Sequence, residues 1–133
     1  MRSISALALS AVLSITSGSV RADTRASPGL SAIHPMPGLV CMNLVPDALL
    51  DPDVGVPVHV GPSLTSPRSG FAPSVVIARD APPRDGFQEV LWADGTPGWV
   101  AAAALRPWSN PWAPARRCRI SYMTDGKLGF DTH

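Results

Sequence analysis

Two cysteines and three histidines are the residues of this sequence whose chemistry could define a reactive site. Cys41 and Cys118 could form a disulfide, or one of them could be a nucleophilic thiol with His34 or His59 as its base. The residues around each cysteine, LVCMNL and RRCRIS, do not resemble a reactive elbow, so a disulfide is favoured. The spacing of the cysteines and histidines shows no pair of metal ligands, and we expect no metal site.

The carboxylates offer little for acid–base catalysis. Glu89 is the only glutamate of the chain, and the aspartates fall mainly in segments that read as turns. General acid–base chemistry needs two positioned groups, and no such pair stands out. We therefore expect a protein that is not an enzyme and that uses no cofactor.

Aromatic side chains are the remaining candidates for a binding site. Trp99 follows a glycine on a short strand, and its simplest interpretation is a core residue. The other three tryptophans cannot all fit inside a small domain, so either the C-terminal segment packs them on one face or they form an exposed ligand surface. His59 is most simply an ordinary strand residue. The candidate binding residues are Trp92, Trp99, Trp108, Trp112, Tyr122 and His59.

The first 22 residues have the layout of a secretory signal peptide. Arg2 precedes an apolar run over residues 4–15, and small residues follow up to Val20-Arg21-Ala22. The run of twelve is too short to span a bilayer, which takes about 20 residues. Cleavage is expected after Ala22, with Ala26 as a second position; a buried core helix or an interfacial anchor is the alternative. The sequence thus predicts a periplasmic or secreted protein with no stable membrane span after cleavage. In those compartments two cysteines form a disulfide by default.

Charge excludes one class of partner. Removal of residues 1–22 leaves nine basic and ten acidic side chains, a formal net charge of −1. Nucleic-acid-binding domains carry a basic face and a high isoelectric point. No nucleic acid is expected as a partner.

Proline limits the fold. All 15 prolines follow residue 27, and the longest proline-free run between Pro28 and Pro114 covers only residues 84–96. Proline inside a helix costs roughly 3 kcal/mol, so helical bundles are excluded and short strands remain. Alternation and β-branched residues predict strands at 54–60, 74–79 and 87–93, and a returning strand from Gly98. Asp94-Gly95 predicts the hairpin between the last two, and Ala101–Ala104 predicts a short 3₁₀ or α turn.

Residues 54–105 resemble the bacterial SH3-type domain of exported proteins. That family has an Arg-x-Gly-Pro-Ser turn, a later glycine, a Trp-x-x-Val strand, an Asp-Gly turn, a Gly-Trp-Val strand and a closing leucine. The matching residues here are Gly61-Pro62-Ser63, Gly70, Phe87, Val90, Asp94-Gly95, Gly98-Trp99-Val100 and Leu105. Four positions depart from the pattern: His59 stands where arginine is usual, Val60 where a polar residue is common, Ser74 where a second turn glycine is common, and Phe87 where tryptophan is usual.

The resemblance implies an all-β fold: a small SH3-like barrel over residues 41–106, containing the short 3₁₀ or α turn. Before it come the signal peptide and an extended lead-in over residues 23–40. An irregular aromatic tail over residues 107–133 is expected to pack on the barrel. The implied function is a non-catalytic binding module of the bacterial cell envelope that binds cell-wall peptide or another envelope protein. A structural or inhibitory partner protein that docks through the tail aromatics is the alternative.

Overall fold

The computed structural model describes residues 29–46 and 55–133. The predicted signal peptide, a turn expected at Leu49-Leu50 and the first residue of the strand predicted from Val54 lie outside these residues. Within them the chain is built of strands, which confirms the predicted all-β class. Over the same ranges, no helical segment has the length and apolarity needed to cross a bilayer.

In the described part of the chain, ten strands form two antiparallel sheets, and a 3₁₀ turn at Ala102–Ala104 joins two of them. The strands are β1 (Ala32–Pro35), β2 (Leu39–Leu44), β3 (Pro57–His59), β4 (Arg68–Phe71), β5 (Val75–Arg79), β6 (Phe87–Leu91), β7 (Pro97–Ala101), β8 (Leu105–Pro107), β9 (Cys118–Met123) and β10 (Leu128–Thr132). The larger sheet has seven strands in the order β4-β3-β7-β6-β5-β2-β8. The smaller sheet has the order β1-β9-β10.

Local sequence signals explain the central strands. The β6–β7 hairpin turns at Asp94-Gly95, where Gly95 adopts the positive φ of 87° that a side chain would disfavour. Pro97 and Pro107 leave space for only a short helical turn between them, and Ala102–Ala104 form the predicted 3₁₀ turn. The strand predicted from Val54 is shorter than expected, and its register against β4 shifts between Val58 and His59. Pro57, which has no N–H to donate, lies where β4 is the only strand partner of β3, because β7 meets β3 at His59.

Two apolar clusters form the core of the described residues. The first fills one face of the large sheet and consists of Leu44, Val56, Val58, Val76, Ala78, Val90, Val100 and Leu105. The second joins the two sheets: Cys41 and Ile77 of the large sheet pack against Ile120 of β9. Each fully buried aliphatic side chain contributes roughly 1.5–3 kcal/mol of stability. The small sheet is therefore packed against the large sheet through this second cluster.

The expected closed barrel is not formed. The large sheet ends at β4 on one side and at β8 on the other, and these two strands do not pair. The β3–β4 pair joins the rest of the sheet through a single residue pair, His59 with Trp99. So short a junction lets β3 and β4 extend the sheet without curving it round to β8.

The C-terminal segment is more regular than the irregular tail expected. Residues 118–123 and 128–132 form a hairpin, and β1 adds to the other edge of β9. The hairpin turns at Asp125-Gly126, where Gly126 has a positive φ of 80°. This is the same turn chemistry that marks the β6–β7 hairpin.

The predicted disulfide is present between Cys41 and Cys118, with a Cα–Cα distance of 6.1 Å. Cys41 lies within β2 and Cys118 begins β9. The bond thus connects the large sheet to the small one across the second cluster. A disulfide of this kind indicates an oxidising, extracytoplasmic environment.

Candidate functional site

The pairing of β5 with β6 is short and leaves an opening in the large sheet. The two strands pair only at Ile77 with Leu91 and at Ala78 with Val90. Beyond Leu91 the chain turns away: Ala93 accepts a hydrogen bond at 2.8 Å from the backbone N–H of Leu128 in β10. The first residues of β5 are therefore left with β2 as their strand partner, and space opens beside them.

This space, the inter-sheet cavity, has a volume of about 260 Å³. Its residues come from both sheets and are all apolar. They are Val58, Pro73, Val75, Val76, Ile77, Val90, Leu91, Trp92, Ala93, Leu128, Gly129 and Phe130. The exposed residues Pro73, Ala93 and Phe130 mark its mouth, while the buried Val58 and Val76 form its floor.

A second concavity, the junction groove, lies beside the inter-sheet cavity and shares Leu91, Ala93 and Leu128 with it. Its volume is about 370 Å³. The remaining lining residues mix apolar, charged and aromatic side chains: Met36, Pro37, Leu39, Arg79, Asp94, Gly95, Tyr122 and Gly126. An apolar surface with a few polar groups that fix orientation is the usual make-up of a binding site.

Charges of both signs line the junction groove. Arg79 forms a 3.0 Å ion pair with Glu89, its near neighbour across β5 and β6. Asp94 accepts a hydrogen bond at 2.9 Å from the backbone N–H of Thr96. This bond, together with the Thr96 side chain, holds the pKa of Asp94 below its usual value of 3.8. Asp94 is therefore an anion at neutral pH, while Arg79 of the same groove is already paired with the Glu89 carboxylate.

Tyr122 is the aromatic residue of the junction groove. Its ring stacks on that of His34, with 5.3 Å between ring centroids and 15° between ring planes. The side chain remains 36% exposed. Because β1 and β9 hold the two rings in place, Tyr122 presents a positioned aromatic surface to solvent.

Trp92 is the predicted binding residue that lines the inter-sheet cavity. It packs partly against the first apolar cluster. Its ring lies over Gly70 of β4, where a Cβ would come within 3.1 Å of the indole Cη2 atom. Gly70 therefore provides the room in which the indole sits.

Trp99 and His59 are neighbours across β7 and β3, and both lie away from the two concavities. His59 is 3% exposed, its Nδ1 lies 2.9 Å from the carbonyl oxygen of Ser66, and its ring meets Phe87 edge-on. Trp99 is half-buried and belongs to neither apolar cluster, which differs from the core position expected. The reason is strand alternation: Val100 takes the core face, so Trp99 points to the opposite face.

The two tryptophans of the C-terminal segment have different surroundings. Trp108 packs against the second cluster. Trp112 is 94% exposed and lines neither the inter-sheet cavity nor the junction groove. The segment therefore packs one indole partly against the fold and leaves the other in solvent.

Several lining residues were not predicted, above all Leu128 and Phe130 of β10. Their alternation around Gly129 is a short period-two pattern, typical of a half-buried strand. Within the described ranges, no group of three or more His, Cys, Asp or Glu side chains is arranged to hold a metal ion. Comparison with protein-family models, curated proteins and solved structures finds no match to this chain. The function is therefore argued from the residues themselves.

Proposed function

We propose that this chain is an exported, non-catalytic SH3-like binding module of the bacterial cell envelope, periplasmic or secreted. It binds an extended peptide, such as cell-wall peptide, in the junction groove. The observation that carries the proposal is the composition of that groove: an apolar floor of Leu39, Leu91 and Leu128 beside the exposed ring of Tyr122 and the charges of Arg79 and Asp94.

The chemistry of the groove suits a short peptide. Leucine and methionine side chains favour apolar side chains, and a pre-formed aromatic ring adds contact area at low entropic cost. Side chains of both signs complement a ligand that carries both carboxylate and amino groups. Oligopeptides of the cell wall have this mixture of charges.

The positions of the Gly-Pro-Ser, Asp-Gly and Gly-Trp-Val motifs in the fold support the SH3-like assignment. Gly61-Pro62-Ser63 follows β3, Asp94-Gly95 turns the β6–β7 hairpin, and Gly98-Trp99-Val100 lies in β7. Leu105 comes directly after the 3₁₀ turn. The disulfide supports export, because such bonds persist in oxidising compartments.

Co-sedimentation with purified sacculi tests the proposal. We expect the wild-type protein to be enriched in the pellet, and Tyr122→Ala to reduce the pelleted fraction about tenfold. Trp112→Ala is the matched control, because it removes an exposed aromatic ring that lines neither concavity. Absence of wild-type enrichment, or an equal loss in both variants, contradicts binding in the groove. Thermal unfolding of each variant verifies that it is folded.

The alternative, a structural or inhibitory protein that docks on an envelope protein, is favoured by the 94% exposure of Trp112. Exposed tryptophans are frequent energetic centres of protein interfaces. In envelope cross-linking this alternative predicts the reverse result: Trp112→Ala loses the cross-linked partner and Tyr122→Ala retains it.

A further inference from the structure

We propose that the inter-sheet cavity binds one uncharged hydrocarbon chain. The proposal does not depend on peptide binding, because it concerns the other concavity, which shares only Leu91, Ala93 and Leu128 with the junction groove. Free alkyl chains and the acyl tails of lipids share the chemistry that would fill it.

The lining decides what the cavity accepts. All twelve residues are apolar, and only the indole of Trp92 carries a side-chain hydrogen-bonding group. A bound peptide would bury amides with few partners, and a bound ion would lose its hydration without compensation. A hydrocarbon chain has neither cost. Its polar end, where it has one, remains at the mouth beside Ala93 and Phe130.

The volume sets the length of the chain. A dry apolar cavity of about 150 Å³ holds one benzene molecule, so 260 Å³ holds roughly eight to ten carbons. A single chain of that length fits, and two do not. The 40% exposure of Phe130 and the exposed Pro73 leave an entrance from solvent.

Fixed elements on both sides hold the cavity open. The hydrogen bond from Leu128 to Ala93 draws the end of β6 towards the small sheet, while Val75 and Val76 stay paired with β2. The disulfide anchors β9 to β2. Because these connections keep β5 and β6 apart, the strands cannot close on each other to fill the space.

The test uses n-alcohols from hexanol to dodecanol and the full folded chain with isotope-labelled Ile, Leu and Val methyl groups. We expect the methyl resonances of Val75, Ile77, Leu91 and Leu128 to shift on titration. The affinity should rise about fourfold per added methylene and level off near ten carbons. Absence of shifts at these methyls, or shifts centred elsewhere, would overturn the proposal.

A matched pair of variants tests the location. Val75→Phe places a ring in the cavity and should weaken decanol binding at least tenfold. Val60→Phe adds the same ring at an exposed position outside the lining and should leave the affinity within twofold of wild type. Equal binding by the Val75→Phe protein overturns the proposal. If Val75→Phe does not fold, Ala93→Phe fills the cavity from its exposed mouth and carries the same expectation.

Two further ligands distinguish a free alkyl chain from the acyl tail of a lipid as the occupant of the cavity. Decanoate presents a free chain, and vesicles of phosphatidylglycerol present acyl tails held in a bilayer. Shifts at the lining methyls with decanoate alone assign a free chain, whereas shifts with both assign a chain that also enters from lipid. The sacculus experiment depends on Tyr122 rather than Val75, so failure of one proposal leaves the other intact.

Discussion

The backbone N–H of Leu128 donates to the carbonyl oxygen of Ala93 at 2.8 Å, and this hydrogen bond joins the edge of the small sheet to the β6–β7 hairpin. It satisfies one outward-facing amide of an edge strand. It also divides the apolar inter-sheet cavity from the mixed junction groove, since both residues line both concavities. The two binding proposals rest on this division.

Amide exchange measures that connection. Gly129 and Asp131 face β9 in the ladder, so Leu128 and Phe130 direct their N–H groups away from it. We expect the Leu128 amide to exchange with solvent at least tenfold more slowly than that of Phe130, because Leu128 has the Ala93 acceptor. Hydrogen–deuterium exchange followed by NMR gives both rates, and equal rates would show that the connection is not maintained in solution.

The disulfide should contribute strongly to stability. Cys41 and Cys118 are 77 positions apart, and closing a loop of that size is worth about 4.5 kcal/mol in chain-entropy theory, with 2–4 typical of measurement. The double variant Cys41→Ser, Cys118→Ser should lose about 2–4 kcal/mol of unfolding free energy in urea. Wild type treated with dithiothreitol should match the double variant, which itself should not respond. A reductant effect on the double variant would point to another cause.

Gly98 should not tolerate a side chain. A Cβ at this position would collide with Cγ1 of Val58, which is buried and cannot move away. Gly98→Ala should therefore cost about 1–3 kcal/mol by overpacking. Gly29→Ala is the control, since a Cβ there meets nothing within 4 Å. Adding Val58→Ala to the Gly98 variant should cost less than the two changes separately, and strict additivity would contradict the collision.

Ile120 should report the packing between the two sheets. It is fully buried in the second cluster, whereas Ile33 of β1 is exposed. Ile120→Val should lower the unfolding free energy by about 0.5–1.5 kcal/mol, and Ile33→Val should change it by less than about 0.5. Chemical denaturation of the two proteins gives the comparison. Similar small losses would mean that the sheets are not packed through Ile120.

Acid should weaken the β6–β7 hairpin through Asp94. The Thr96 hydrogen bonds lower the pKa of Asp94 in the folded chain, so the folded state binds fewer protons than the unfolded state. The stabilisation is complete above about pH 4 and is lost as the pH falls through the folded pKa. A carbon-detected NMR titration should place that pKa below 3.8. Asp94→Asn keeps an acceptor without the titration and should show a shallower loss of stability in acid; an unchanged profile would contradict the assignment.

The parts of the fold that sequence predicts are those with local causes. Asp94-Gly95 sets a turn by its own backbone preference, and Ala102–Ala104 are confined by the prolines on either side. Asp125-Gly126 carries the same turn signal as Asp94-Gly95. It lies in a segment whose prolines and aromatic residues favour the prediction of irregular structure. The pairing of β1 with β9 joins residues about 90 positions apart, and no local pattern records it.

Part of the candidate site could also be predicted from the sequence, because residue type is a local signal. Trp92 and Tyr122 were predicted as binding residues from their type, and both line a concavity. Their separation into two different concavities depends on where β6 leaves β5 after Leu91, a tertiary event. Trp112 is similar to them in type, but its ring is 94% exposed and lines neither concavity.

The pairing of β1 with β9 also fixes an order of events as the chain emerges from the ribosome, N-terminus first. Every strand of the large sheet is available once Pro107 has emerged, so that sheet can form early. β1 emerges before all of these strands but has to wait for residues 118–123, and Cys41 has to wait for Cys118. During this interval the first strand has no partner in the small sheet, and Cys41 is a free thiol open to mispairing with other proteins. Oxidative folding of this chain is therefore a late step, completed only when the C-terminal hairpin arrives.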